Sequence, residues 1–252
     1  MHEHRFSRLE QLIGRDALQN LAGRSVAVVG IGGVGSYAAE ALARSGVGHL
    51  TLIDFDNIAA SNINRQIHAL EYTVGKAKVA VMAERCLAIN PEIAVRSRNA
   101  FYSADTDQEL LGEGYDYLLD CIDSISAKLH LIQSCRQRSI PVISAMGAAN
   151  KLDLTLIRVG DLAHTQKCRM ARIIRRELGR RGIRSGVKVV YSLEEFRPLA
   201  EDCHDFDSAT PSTTGANATR QRVTLGSTSY IPPMFGLTMA GEVIRTLLGE
   251  RP

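Results

Sequence analysis

Residues 26–35 read VAVVGIGGVG, and no other stretch limits the possible folds as much. Val26, Ala27, Val28 and Val29 form a continuous apolar run, the pattern of a parallel strand buried on both faces. Gly30, Gly32 and Gly35 then give G-x-G-x-x-G, with Gly33 inside the motif. Ser36 to Ser45 carries a helical pattern that Gly46 can stop. A second apolar run, Leu50 to Ile53, ends in Asp54, roughly twenty residues beyond the glycines. Glycines let a backbone turn tightly and approach a phosphate, and a helix N-terminus offers free N–H groups and the positive end of its dipole. A carboxylate at the end of the second strand can accept hydrogen bonds from a ribose. The plain alternative is a tight strand–helix turn with no ligand. Strand, helix and distal acid in register favour a nucleotide site.

The rest of the chain sets the frame for that unit. Its 252 residues can bury a sizeable core, as one large or two small domains. A net charge of +3 is too small to argue for nucleic acid by itself, so the distribution of charge has to decide. No apolar run approaches a membrane span, and MHEHRFSRLEQL at the N-terminus has no apolar signal core. A cytoplasmic location with no membrane partner is the expectation. The five cysteines, Cys86, Cys121, Cys135, Cys168 and Cys203, form no C-x-x-C pair. They read as free thiols and small buried hydrophobes, with Cys203, in a polar stretch, the least certain of them. A structural zinc site is not expected.

Taken in order, residues 5–21 predict a short helical arm. Residues 56–78 read as a polar loop with little core. Residues 77–90 predict a helix with Val79, Met82, Ala83, Cys86 and Leu87 on one face, stopped by Pro91. Ile93–Arg98 reads as a strand and Asp105–Gly112 as a short helix. Tyr115–Leu119 is a buried strand ending in Asp120-Cys121-Ile122-Asp123. Ser124 can cap a helix to about residue 139, and Pro141–Ala145 is a further strand. Strands alternating with helices predict an α/β fold with a Rossmann-like, doubly wound, mostly parallel sheet. The pattern changes after that. KLDLTLIRV at 151–159 alternates as an antiparallel strand would, 166–182 make a basic helix, and VKVVYSL at 187–193 is a strand. Residues 200–228 read as a mobile loop, and a closing helix follows Pro232 and Pro233. The expected organisation is an arm over 1–22, a nucleotide-binding region over 23–148 and a substrate-binding or dimer region over 149–252, within one compact domain with an antiparallel C-terminal extension.

A glycine loop plus Asp54 suits a dinucleotide enzyme as well as an ATP enzyme. The segments after it separate the two. Asn62, Arg65, Lys76 and Lys78 lie just past the strand that holds Asp54. A triphosphate carries more charge than a dinucleotide, and a departing pyrophosphate needs cations placed on it. Arg65 offers a planar fork and Lys78 a point charge. Asp123 falls at the carboxyl end of a parallel strand, where open α/β sheets bind ligands and where a carboxylate suits Mg²⁺ bridging phosphates. A solvated basic loop and a helix-capping Asp are the bland readings of these residues. Their joint placement at one sheet edge favours function.

GIGGVGS, LTLIDFD, SNINRQIH, VGKAKVAVMAERCLAINP and DCIDS resemble, in order and spacing, the ubiquitin-activating-enzyme-like superfamily, whose bacterial members adenylate carboxylates. The likeness covers about residues 5–145. It implies that Gly30, Gly32, Gly33 and Gly35 cradle ATP and that Asp54, with Asp56 beside it, holds the ribose. Asn62, Arg65 and Lys78 would bind the phosphates, and Asp123 would bind Mg²⁺. Arg8 would reach the phosphates of a neighbouring subunit in a homodimer. Arg8, Arg65, Lys78 and Asp123 are thus the catalytic set that the resemblance implies.

Members that activate ubiquitin-like sulfur carriers usually carry two C-x-x-C zinc pairs, which this chain lacks. Its second half, SAMGAANKLDLTLIRVGDLAHT followed by a basic helix and VVYSLEE, is similar to another branch. That branch uses ATP to activate the threonyl carboxylate of threonylcarbamoyladenosine in tRNA, and ring closure follows with net loss of water. The likeness implies such a tRNA as substrate, and leaves open whether the activated species is an acyl-adenylate or an acyl phosphate. Sulfur-transfer proteins remain open as partners. The basic helix supports this independently. Met170, Ile173, Ile174 and Leu178 share one face, while Arg169, Arg172, Arg175, Arg176 and Arg180 occupy the rest, a patch suited to a phosphate backbone. A solvated face on a core-packed helix is the alternative. An acidic run, Glu194, Glu195, Glu201, Asp202, Asp205 and Asp207, follows it as a counter-charge. Three rivals stand beside this reading: an adenylyltransferase for a ubiquitin-like protein, a nicotinamide oxidoreductase, and a binding module without activity.

Overall fold

The computed structural model describes residues 3–200 and 225–250. The N-terminal arm is two helices, α1 (Ser7–Ile13) and α2 (Arg15–Ala22), where the sequence predicts one. Gly14 separates them at φ +85°, a left-handed conformation that a helix cannot contain. Strand β1 (Ser25–Val29), helix α3 (Gly35–Arg44) and strand β2 (His49–Ile53) follow as expected. Then come α4 (Lys78–Ile89), β3 (Ala94–Arg98), α5 (Asp107–Leu111), β4 (Tyr117–Asp120), α6 (Ile125–Gln137) and β5 (Val142–Ala145). The chain ends with β6 (Ile157–Asp161), α7 (Arg169–Arg180), β7 (Lys188–Ser192) and α8 (Ile231–Leu247).

One seven-stranded sheet, in the order β3-β2-β1-β4-β5-β7-β6, runs through the molecule. Every pairing is parallel except β6 with β7. Helices cover both faces, which explains the unbroken apolar run of β1. Val26 and Val28 enter the core shared with α3, α4 and α8, while Ala27 and Val29 enter the core shared with α5 and α6. The strand order reverses between β1 and β4, so a crevice opens at their carboxyl ends. Val29 pairs with both Ile53 and Asp120, so these three strands end level. That register brings Gly30, Asp54 and Cys121 to one edge.

Several expectations are corrected. Residues 56–78 are not a loosely packed polar loop: Ile58, Gln66, His68, Ala69 and Thr73 are each at most 5% exposed. Local turns fold this segment on itself, with Thr73 Oγ1 donating to the His68 carbonyl at 2.9 Å and an Asn57–Ala77 bridge closing its base. Such a device has no periodicity for a sequence reading to catch. Leu87 of α4 is exposed rather than on the buried face. The alternating segment at 151–156 is not strand. Leu152 and Asp153 give their N–H groups to the Glu194 carboxylate, and Asp153 caps a turn at Leu154–Leu156, so pairing begins at Ile157. Ser124 occupies the N-cap of α6 without a side-chain capping bond; its hydroxyl meets that of Ser126 at 3.2 Å. Helix α8 begins before its prolines, which its first turn accommodates. Cys203, the acidic residues 201–207 and most of the loop expected at 200–228 lie outside the described residues.

Candidate active site

The site is built first from glycines that leave no room for a side chain. Gly30 turns the chain at φ +90°, and a Cβ there would lie 2.8 Å from the Cys121 carbonyl oxygen. A Cβ on Gly35 would lie 1.8 Å from the Gly30 carbonyl oxygen. The loop from β1 to α3 is therefore wedged against the end of β4. Gly32 differs: among the described residues a Cβ there would meet only Gln66 Nε2, at 4.0 Å. Its bareness leaves space over the loop, where a ligand can sit.

Asp54 closes β2 and is 9% exposed. Its Oδ2 accepts the Ile31 N–H at 2.6 Å and its Oδ1 the Asp56 N–H at 2.8 Å. Burial pushes its carboxyl above the usual range, against the opposing pull of Lys78 and these two N–H groups. Lys78, the first residue of α4, is buried, and its Nζ donates to Asp56 Oδ2 at 2.7 Å. Asn62 Oδ1 accepts the Ala59 N–H at 3.1 Å, which fixes the turn that presents Arg65. Arg65 Nη1 donates to the Ser61 carbonyl and Asn64 Oδ1, each at 2.8 Å, and burial lowers the guanidinium's pKa. Among the described residues Nη1 is the only nitrogen of that fork with a protein partner.

These groups face one cavity of about 430 Å³, lined by Gly30, Gly32, Gly33, Asp54, Asp56, Asn62, Arg65, Lys78 and Asp123. Gly35 and Lys76 are not in its wall. Asp123 is exposed and stands one turn beyond β4. The cavity continues to Met146–Ala149, Met170 of α7, Leu225 and Ser227. It thus joins the glycine loop to the C-terminal half of the chain. Phe55 and Phe101, half-exposed and edge to face at 5.0 Å, line its other end.

Arg8 is exposed and not in this cavity. The arm lies at the opposite edge of the sheet, where Phe6 and Leu18 approach Gly46 beyond the end of α3. Helix α7 is placed as expected, with Ala171, Ile174 and Leu178 buried. Its arginines divide. Arg175 turns inward and donates to the Thr165 carbonyl and hydroxyl at 2.8 and 2.7 Å. Arg176 and Arg180 pair with Glu177. Arg169 stands 4.5 Å over the Phe196 ring, and Arg172 is exposed. Of the acidic run, Glu194 binds Arg197 and Glu195 lies 3.6 Å from Lys167, so neither pairs with α7.

Burial holds the Cys86 and Cys135 thiols up at about 12 and pushes Cys121 higher still, which makes them poor nucleophiles at neutral pH. Sequence reasoning missed Gln66, which lines the cavity with a buried Oε1 that has no partner among the described residues, and a fully buried group: Asp120, Lys128 and Ser144. For Lys128 a signal was present, since it interrupts the apolar face of α6.

A doubly wound sheet with a glycine loop, a buried acid closing β2 and cations converging on one crevice defines a nucleotide-binding α/β protein. The chain belongs to the ThiF family, whose model matches residues 6–252. It is 41% identical over 247 residues to the tRNA threonylcarbamoyladenosine dehydratase of Bacillus subtilis, covering 98% of this chain and 96% of the relative. A solved structure of the Escherichia coli tRNA N6-threonylcarbamoyladenosine dehydratase in complex with ATP superposes with a TM-score of 0.85 at 36% identity, covering 98% of this chain and 94% of that one. The molybdopterin-synthase adenylyltransferase of Salmonella typhimurium is 38% identical over only 140 residues, 56% of this chain and 54% of the relative. The first two likenesses extend through β6, α7, β7 and α8. Among the described residues no helix is long and apolar enough to cross a membrane.

Proposed function

We infer that this chain is an ATP-dependent enzyme that dehydrates threonylcarbamoyladenosine in tRNA. The observation that carries the reading is the continuous cavity, with phosphate-binding groups at one end and the walls of the C-terminal half at the other. The extent of the likeness supports it, since relatives with this activity match nearly the whole chain.

In this reading the helix N-terminus of α3 and the Gly32 backbone cradle phosphate, and Asp54 accepts ribose hydroxyls. Arg65 and Lys78 stabilise charge that builds on the phosphorus being attacked and on its leaving group. Lys78 gives up Asp56 to do so, and its burial strengthens the attraction. The threonyl carboxylate bonds to a phosphorus of ATP as that atom's bond to its leaving group, pyrophosphate or ADP, breaks; the substrate's own carbamoyl group then attacks the acyl carbon and loses a proton to close the ring, and the carboxylate oxygen departs on phosphorus. Catalysis is positioning and electrostatics, with no protein nucleophile. Asp123 fits Mg²⁺, which usually takes one or two carboxylates, several waters and phosphate oxygens rather than an all-protein cage. Among the described residues no cluster of three or more candidate ligands competes with it. When bound, the ion would neutralise phosphate charge.

Arg172, Arg176 and Arg180 offer the tRNA backbone solvated charge, and Arg169 completes the strip, while Arg175 holds the turn before α7. Arg8 is outside the lining of its own cavity and serves that of a partner in an isologous homodimer. The enzyme works in the cytoplasm, where sulfur-transfer proteins of the kind served by its adenylyltransferase relatives are candidate partners. Incubation with ATP, magnesium and modified tRNA, followed by nucleoside mass analysis, should show ATP-dependent loss of one water from the modified base. An unchanged nucleoside after complete ATP-dependent controls would overturn the reading.

A further inference from the structure

Asp120, Lys128 and Ser144 are completely buried, on β4, α6 and β5 respectively. Lys128 Nζ donates to Asp120 Oδ2 at 2.8 Å and to Ser144 Oγ at 3.2 Å. The Ser144 hydroxyl donates in turn to Asp120 Oδ2 at 2.6 Å. The other carboxylate oxygen, Oδ1, accepts the Ile122 N–H at 3.2 Å. A buried ion pair is a poor way to gain stability, because desolvation cancels much of the attraction and apolar residues of similar volume often do as well. Its place in the fold suggests another use. It lies at the reversal of strand order, directly under the turn 121–123 that leads to Asp123.

That turn is gripped from two sides. On one side Cys121 donates its N–H to the Val29 carbonyl at 2.8 Å, with Gly30 packed against the Cys121 carbonyl. On the other, Asp120 Oδ1 fixes the Ile122 N–H. Asp120 can hold that angle only if its second oxygen is anchored, and the anchors are Lys128 and Ser144. Asp123 itself has no such support, being exposed at the cavity wall.

We propose that Lys128, with Asp120 and Ser144, is a positioning residue: the triad orients the 121–123 turn and so aims the Asp123 carboxylate at the nucleotide's phosphates and their metal. The inference rests on the reading of Asp123 as the metal-side carboxylate. The triad touches no substrate and acts only through the turn.

Calorimetry of ATP binding to the whole chain, with magnesium and then with EDTA, reads how much affinity the metal adds. Lys128→Met should cut that gain by about tenfold or more, the scale for losing a group that orients a metal ligand. The magnesium-free affinity should stay near wild type. Ser144→Ala should shift the gain the same way by less, and Lys128→Arg should restore part of it. Asp123→Asn combined with Lys128→Met should be no worse than Asp123→Asn alone, since both act on one contact. A wild-type magnesium gain in Lys128→Met, or effects that multiply in the double variant, would overturn the positioning role. If Lys128→Met fails to fold, Ser144→Ala and Lys128→Arg carry the same measurement: a gain unchanged in both overturns it equally. A full magnesium gain in Asp123→Asn would instead overturn the reading of Asp123 itself, and the triad's role with it.

Discussion

The nucleotide end of the cavity and helix α7 both present cations, yet they are built in opposite ways. Lys78 is buried and Arg65 half-buried, and Asp56, Ser61 and Asn64 tether them. On α7 only Arg175 is tethered to the body of the protein, and the others stand in solvent or against neighbours on the surface. A charge that must meet one phosphorus atom needs a fixed position and a low dielectric. A charge that meets a polyanion needs only to be near it, because the gain comes from released counterions. One end is a machined fitting and the other a sticky strip.

If that contrast holds, single changes should hurt most where charges are fixed. Arg65→Ala should slow turnover by about a hundredfold or more, the scale for losing one transition-state contact, while tRNA affinity in a filter or fluorescence assay stays put. The same logic extends to Arg8 across a two-fold. Arg8→Ala and Asp54→Ala should each be nearly inactive alone. Mixed, they should recover up to about a quarter of wild-type activity if chains exchange at random and sites are independent. No recovery, with exchange confirmed by mass, would confine Arg8 to its own chain.

On α7 the effects should be smaller and salt-dependent. Arg172→Ala should flatten the slope of log affinity for tRNA against log salt by about 0.7–0.9, the value of one phosphate contact. Arg175→Ala should leave that slope alone and lower Tm, because its guanidinium holds the Thr165 turn. Equal slopes for the two variants would erase the distinction between tethered and solvated arginines.

The last effect leaves turnover alone and concerns acid. His68 is buried with no partner among the described residues on either ring nitrogen, and burial beside Lys78 and Arg85 lowers its pKa from 6.5 to about 4. Between those values the unfolded chain holds the extra proton, so stability is full above pH 6.5 and falls as pH drops toward 4. At about 1.4 kcal/mol per unit the loss reaches about 3 kcal/mol. His68→Phe should flatten Tm across that window and cost little at neutral pH. An unaltered profile would assign the acid sensitivity to other groups.

Much of this was legible from the chain itself, and the reason is local chemistry. The glycines, Asp54, Arg65, Lys78 and Asp123 sit at fixed offsets from apolar runs, so finding the strands finds the site. What could not be read depends on contacts between distant segments. The packing of 56–78 is made by turn hydrogen bonds, which leave no periodic trace. The Asp120–Lys128–Ser144 triad joins three elements, and only the sheet order reveals it. Likewise, KLDLTLIRV alternates like a strand but loses its first residues to the Glu194 carboxylate, a partner some forty residues away. On a helical wheel Arg175 matches its neighbours, and only Thr165, outside the helix, sets it apart.

Helix α8 adds one consequence concerning time. A Cβ on Gly236 would lie 2.2 Å from the Val34 carbonyl oxygen, and one on Gly33 would lie 3.0 Å from Pro232. A helix made late is thus the seat of a loop made early. Synthesis runs from the N-terminus, so the glycine loop, Asp54, Arg65 and Lys78 all leave the ribosome before α3 has the surface it rests on. A nascent chain halted before residue 231 would hold every phosphate-binding residue and still lack a seated loop. ATP binding is thus expected only once α8 has been made and has docked against the glycine loop.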